Sequence, residues 1–221
     1  MLTAFVLSSP AAQEPAPNTA PPPAARPRPA DAAALFARLG AVTGLEATFE
    51  EQKHLALLAV PLQSKGRLYF HRPDPKGPGW LVREVTAPEP QSVRITPREL
   101  RLENRDGVEV IDLARSDKVR TFVQSLVHVF AGDEAALRKS YDVVYAPVPD
   151  DAAAWTLQLT PRAAPLDKLL RQLRLVGRGE AVERIEVLEP NGDRTVTRIT
   201  TANPDRRFDA AEKRKLFGID E

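Results

Sequence analysis

Cysteine is absent from the 221-residue chain, and that single absence excludes disulfides, thiol nucleophiles, thiolate metal sites and a lipidated cysteine within this sequence. Charge of one sign is also lacking: 31 Lys and Arg balance 30 Asp and Glu, so the net charge of +1 gives no general attraction to nucleic acid or to an acidic surface. Histidine is sparse. His54, His71 and His128 do not fall at metal-ligand spacings, and His128 sits inside an amphipathic helical pattern, so structural or surface roles are expected. There is no Gly-x-Ser-x-Gly elbow, no phosphate-binding glycine loop and no dinucleotide fingerprint. The adjacent carboxylates Glu50 and Glu51 point to opposite sides of a strand, and Asp150 and Asp151 lie in a proline-flanked loop, so neither pair converges on a substrate. The reading is a protein without catalytic residues, metal or cofactor, one that does not bind nucleic acid.

Apolar residues make up 43% of the chain and charged residues 28%, ordinary for a globular domain with a sizeable core. Residues 1–13 read as the end of a secretory signal peptide lacking its basic region: the apolar run Leu2 to Leu7, too short to span a bilayer, is followed by small residues. Residues 14–30 continue as a Pro/Ala-rich linker, and eight of the 21 prolines fall between residues 10 and 30. The folded domain is expected over 31–221.

Asp31 can cap a helix whose apolar stripe runs Ala32, Leu35, Phe36, Leu39, Val42, with Gly44 as its stop. Six short alternating or β-branched runs follow: Glu46 to Ala59, Leu62 to His71, Trp80 to Val85, Gln91 to Ile95, Glu99 to Glu103 and Val108 to Leu113. Ser116 to Ala131 is the strongest helix, with Val119, Phe122, Val123, Leu126, Val127 and Phe130 on one stripe and Gly132 ending it; Asp133 to Lys139 starts a second, short one. Five more strands are expected at Tyr141 to Val148, Ala154 to Thr160, Arg171 to Val176, Val182 to Leu188 and Arg194 to Thr201. Asn191-Gly192 marks the last hairpin, Gly177-Arg178-Gly179 reads as a turn, and Asp209 to Phe217 reads as a short terminal helix. About eleven strands in this order predict an α+β fold: a curved antiparallel sheet or incomplete barrel closed on one side by helices.

The stretch Gly66 to Trp80, GRLYFHRPDPKGPGW, is the most distinctive. Alternation sets Leu68, Phe70 and Arg72 on one side and Arg67, Tyr69 and His71 on the other, so a guanidinium shares a face with large apolar side chains. Either Arg72 is where the strand emerges into water before Pro73, or it stands at the edge of an apolar cavity.

The order helix, ATFEEQK, PLQSKGRLYFHRP, a tryptophan and PEPQSVRIT resembles the LolA family of periplasmic carriers of outer-membrane lipoproteins, and the likeness extends through residues 45–215. The resemblance implies a half-open barrel with a helical lid over a hydrophobic cavity. It implies that Arg72 latches the lid, and that acyl chains lie against Phe49, Leu68, Phe70, Trp80, Val82, Val93, Ile95, Phe122, Leu126, Phe130, Trp155 and Leu157. The implied function is periplasmic sheltering of acylated lipoproteins by a monomer, between an inner-membrane ABC-type release complex and an outer-membrane acceptor. A carrier of another lipid or glycolipid, or an RseB-like lipoprotein sensor, are the alternatives; the outer-membrane acceptor LolB shares the fold but needs an N-terminal cysteine.

Overall fold

The computed structural model describes residues 28–74, 77, 79–179 and 181–219; the signal-peptide and most of the linker reading fall outside them. Helix α1 (Ala32–Ala41) begins where the Asp31 carboxylate accepts the Ala34 N–H at 2.8 Å. The chain then lays down β1 (Gly44–His54), β2 (Leu62–His71), β3 (Trp80–Ala87), β4 (Gln91–Ile95), β5 (Glu99–Asn104) and β6 (Gly107–Asp112). Helices α2 (Asp117–Phe130) and α3 (Glu134–Ser140) follow, then β7 (Tyr141–Pro147), β8 (Ala154–Pro161), β9 (Gln172–Arg178), β10 (Ala181–Leu188) and β11 (Arg194–Asn203). A short helix, α4 (Ala210–Glu212), runs on into a π-helical turn at Lys213–Phe217.

All eleven strands form one open sheet in the order β6-β5-β4-β3-β2-β1-β11-β10-β9-β8-β7, every pairing antiparallel. The chain starts mid-sheet, meanders to one edge, crosses to the other edge, and meanders back until β11 pairs with β1. The crossing explains the helices. At ~4.8 Å per strand, the edges of a flat eleven-stranded sheet would stand about 48 Å apart. The 14-residue α2 and seven-residue α3 together span only about 31 Å. The sheet curls so that α2 reaches the core clusters of both its arms, and its concave face is the one the helices cover.

Helix α2 packs against both arms of the curl. Val123, Val127 and Ala131 join Ala47, Phe49, Leu68, Phe70, Leu81, Val85 and Ile95 from β1 to β4. Val129 joins the second cluster, where Leu35 and Phe36 of α1 and Leu137 of α3 meet Trp155, Leu157, Leu159, Leu173 and Leu175. Phe122 touches both clusters. A third, smaller cluster on the convex face holds Tyr69, Val82, Phe208 and Phe217, with Trp80 packed beside it.

Three local expectations need correction. The first strand ends at His54, five residues before Ala59, because its partner β11 begins at Arg194 opposite His54, and Leu55 to Pro61 turn away as a loop. Gly44 does not stop α1, which ends at Ala41 with Val42 as its cap; it opens β1, where a Cβ would lie 2.0 Å from the Arg206 carbonyl oxygen. Gly177 is a strand residue facing Trp155, and a Cβ there would stand 2.1 Å from the indole ring. That close approach, not a turn, requires glycine.

Candidate functional site: an apolar pocket under two helix ends

Arg72 follows the last residue of β2 and is 5% exposed. Its backbone N–H donates to the Thr43 carbonyl at 2.8 Å, which holds the side chain inward. From there Nη1 donates to the Ala131 carbonyl at 3.0 Å, and Nη2 donates to the carbonyls of Gly40 and, at 3.3 Å, Val42. Gly40 and Val42 lie at the C-terminal end of α1, and Ala131 caps the C-terminus of α2. These carbonyls are among those a helix leaves without intrahelical donors, and they carry the negative end of each helix dipole. One guanidinium thus serves two helix ends at once.

Their approach depends on glycine. Gly132, just past the α2 cap, has φ +63, and a Cβ on it would stand 2.3 Å from the Phe36 carbonyl oxygen and 2.4 Å from the Gly40 nitrogen. Only a residue without a side chain lets α1 and α2 close to this distance in the left-handed conformation that ends α2.

Beneath the helix ends is a pocket of about 220 Å³ at the seam of the two core clusters. Leu39 and Val42 line it from the α1 side, Val129 and Phe130 from α2, and Leu45, Ala47, Leu68 and Phe70 from β1 and β2. Leu175, Ala181, Val182 and Ile185 of β9 and β10 close the far wall, with Ile199 and Ala202 of β11 and Pro204 just beyond it. Every lining side chain is apolar. The Phe70 and Phe130 rings stack at 6.0 Å between centroids, joining wall to cover. A second, more polar cleft of about 860 Å³ lies outside Arg72, bordered by Gln124, His128, Asp133 and Thr96; His128 Nδ1 is 3.3 Å from the Asp133 carboxylate. Among the described residues no group of three or more His, Asp or Glu side chains could hold a metal ion.

Of the apolar residues expected to line a cavity, Leu68, Phe70 and Phe130 border this pocket. Phe49, Val93, Ile95, Phe122 and Leu126 pack beside it in the N-terminal cluster, and Trp155 and Leu157 are core residues of the other arm. Trp80 and Val82 are misplaced by the sequence reading. They pair with His71 and Tyr69, share their convex face, and pack with Phe208 and Phe217 on the side of the sheet away from the pocket. The walls supplied by α1 and by β9 to β11 are absent from that reading, although Leu39 and Val42 already stand on the helical stripe of α1. Glu51 is held on the concave face by Arg83 at 2.7 Å and by the Thr197 hydroxyl at 2.8 Å.

The family model described as outer membrane lipoprotein carrier protein LolA-like matches residues 24–215. The chain belongs to the LolA-like family. Structural comparison of this LolA-like chain finds a protein of the DUF1329 family from Desulfovibrio piger, at 11% identity over 81% of this chain and 93% of that one, with a TM-score of 0.49. It also finds a LolA superfamily protein from Nitrosomonas europaea, at 11% identity over 81% and 95%, TM-score 0.44. A chain of the Pseudomonas aeruginosa MucA/MucB complex matches at 14% identity over 78% of this chain, TM-score 0.40; the LolA-like chain spans 56% of its length. At these values the likenesses carry no functional argument. Comparison with curated proteins gives no match. Among the described residues of the LolA-like chain no helix is long and apolar enough to cross a membrane.

Proposed function

We propose that this protein is a non-enzymatic periplasmic carrier that shelters the acyl chains of lipoproteins in the apolar pocket, with Arg72 as the latch that holds α1 and α2 over it. One observation carries the reading: a pocket walled only by apolar side chains lies under two helix ends that are tied to the sheet through a single buried arginine. Burying a chain of ~16 carbons is worth about 13 kcal/mol at ~0.8 kcal/mol per methylene, so an acylated protein leaves a membrane only for an equivalent shelter. Non-directional contacts suit such a shelter, because the cargo must be released again. The pocket of about 220 Å³ is below the ~300–1,000 Å³ usual for ligand sites, so loading requires α1 and α2 to move away from β9 to β11. Separating the helices removes the carbonyl acceptors from Arg72, which couples entry of a chain to loss of the latch. An inner-membrane release complex of ABC type and an outer-membrane acceptor are the partners this cycle needs.

The test is uptake of a fluorescent fatty acid and of a diacylated lipopeptide by the purified protein, followed by mass spectrometry of lipids and proteins that co-purify from the periplasm. Saturable uptake and co-purifying lipoprotein support the carrier. Uptake of neither probe by folded protein removes it, and co-purification of free lipid alone reassigns the cargo.

A further inference from the structure

The loop joining β1 to β2 reads Leu55-Ala56-Leu57-Leu58-Ala59-Val60-Pro61, followed by Leu62, the first residue of β2, and no side chain between His54 and Gln63 can form a hydrogen bond. Leu57 is 96% exposed, Val60 71%, Leu62 52% and Leu58 49%. Single exposed apolar residues are ordinary, but a contiguous aliphatic run at the tip of a hairpin is a surface that water disfavours.

We propose that this tip is a membrane-contact element that inserts shallowly into the surface of a lipid bilayer. The tip is wholly aliphatic and so offers a protein partner no directional group to recognise, whereas an acyl-chain layer requires none. Its backbone is partly prepared for an apolar medium: Leu58 N–H donates to the Leu55 carbonyl at 3.0 Å, and Ala56 N–H to the Asp193 carboxylate at 2.9 Å. Such internal pairing lowers the cost of leaving water. Polar side chains of both strands, Lys53 and His54 on one and Gln63, Ser64 and Lys65 on the other, follow directly behind the tip, at the level where lipid headgroups would lie. The charges behind the tip are balanced, since Lys53 is paired with Glu189 at 3.6 Å, Lys65 stands opposite Glu50, and Asp193 is engaged by the loop backbone. The aliphatic tip itself, and not a net positive charge, makes the contact. The ten residues of β2 set the tip about 33 Å from the Arg72 end, so membrane contact leaves the helix ends unobstructed. The element is independent of what the pocket holds.

The absence of cysteine makes the test direct, because a fluorophore on Leu57→Cys can attach nowhere else. With vesicles of phosphatidylcholine and phosphatidylglycerol, an environment-sensitive label at this position is expected to shift to the blue and to be quenched by quenchers attached to lipid chains. Co-sedimentation of the unlabelled full chain should weaken roughly tenfold or more in the double variant Leu57→Asp, Val60→Asp. Both positions are exposed, so circular dichroism should be unchanged. The proposal is overturned by a label that reports water in the presence of vesicles, by a double variant that sediments like the parent, or by a blue shift without vesicles that grows with protein concentration and so assigns the tip to a second copy of the chain.

Discussion

The Nη1 of Arg72 and the carbonyl of Ala131 meet at 3.0 Å across 59 residues of chain, and this bond joins the end of β2 to the end of α2. Replacing Arg72 with Leu leaves three buried or half-buried carbonyls without their donor, at about 1–3 kcal/mol for each group that water cannot reach. Partial hydration of the helix ends limits the total, and a loss of about 2–4 kcal/mol in urea unfolding is expected, with the fold retained. Fatty-acid uptake by Arg72→Leu should be faster than by the parent, because the helices no longer have to break the latch. Arg72→Lys, with donors on one nitrogen instead of a planar fork, should fall between them. A loss of stability without any change in uptake rate would make Arg72 a structural residue only.

Gly132→Ala tests whether the helix ends must touch. The left-handed backbone alone costs a non-glycine residue about 1–2 kcal/mol. The Cβ at 2.3 Å from the Phe36 carbonyl must in addition push α1 from α2, so a total loss of about 2–4 kcal/mol is expected. Gly192→Ala is the control: its φ is +91, but nothing lies within 4 Å of the added carbon, so only the backbone cost applies. Equal losses for the two variants in chemical unfolding would show that the helix contact is not tight.

Much of the fold was legible because it follows from local patterns. The eleven strands, the α2 stripe from Val119 to Phe130 and the caps at Asp31 and Ser116 are periodicities and end signals that a linear chain displays. Alternation likewise set Leu68 and Phe70 opposite Tyr69 and His71, and the structure keeps them on opposite faces. What the chain does not display is register between strands. Trp80 pairs with His71, not Phe70, and that one-residue difference moves it from the pocket side to the convex side. The β9 to β11 wall of the pocket was hidden for a related reason: it depends on how far the sheet curls, which is set by the crossing from β6 to β7 and not by any one strand.

Filling the pocket should block it without unfolding the protein. Val182 lines the pocket and is only partly buried, so Val182→Trp can direct its added volume into the space between β10 and α1. Overpacking usually costs about 1–3 kcal/mol. Uptake of the fluorescent fatty acid should fall about tenfold or more, in line with the apolar contact area denied to the chain. Trp80→Leu, on the other face, should alter stability and leave uptake unchanged. If both variants reduce uptake equally, the pocket is not the binding site.

His71 ties the convex face to pH. Its ring lies 5.4 Å from the Phe217 ring, 5.7 Å from Phe208 and 6.3 Å from Trp80, measured between centroids. Burial among these rings pushes its pKa below the ordinary 6.5, with repulsion from Lys213 adding to the shift and a backbone hydrogen bond with Thr43 opposing it. The folded protein therefore holds His71 neutral at a pH where the unfolded chain has already protonated. Its contribution is fully present above the unfolded pKa and is lost as pH falls through the lower, folded pKa. Unfolding followed between about pH 7.5 and 5 should show the parent losing stability relative to His71→Phe, which keeps an aromatic ring in the cluster and cannot titrate. The difference between the two proteins isolates the residue at position 71. Parallel curves would mean that the ring cluster does not discriminate between the two forms of His71. Curves that diverge with the opposite sign, the parent gaining stability on acidification, would mean that the folded state favours the charged imidazole.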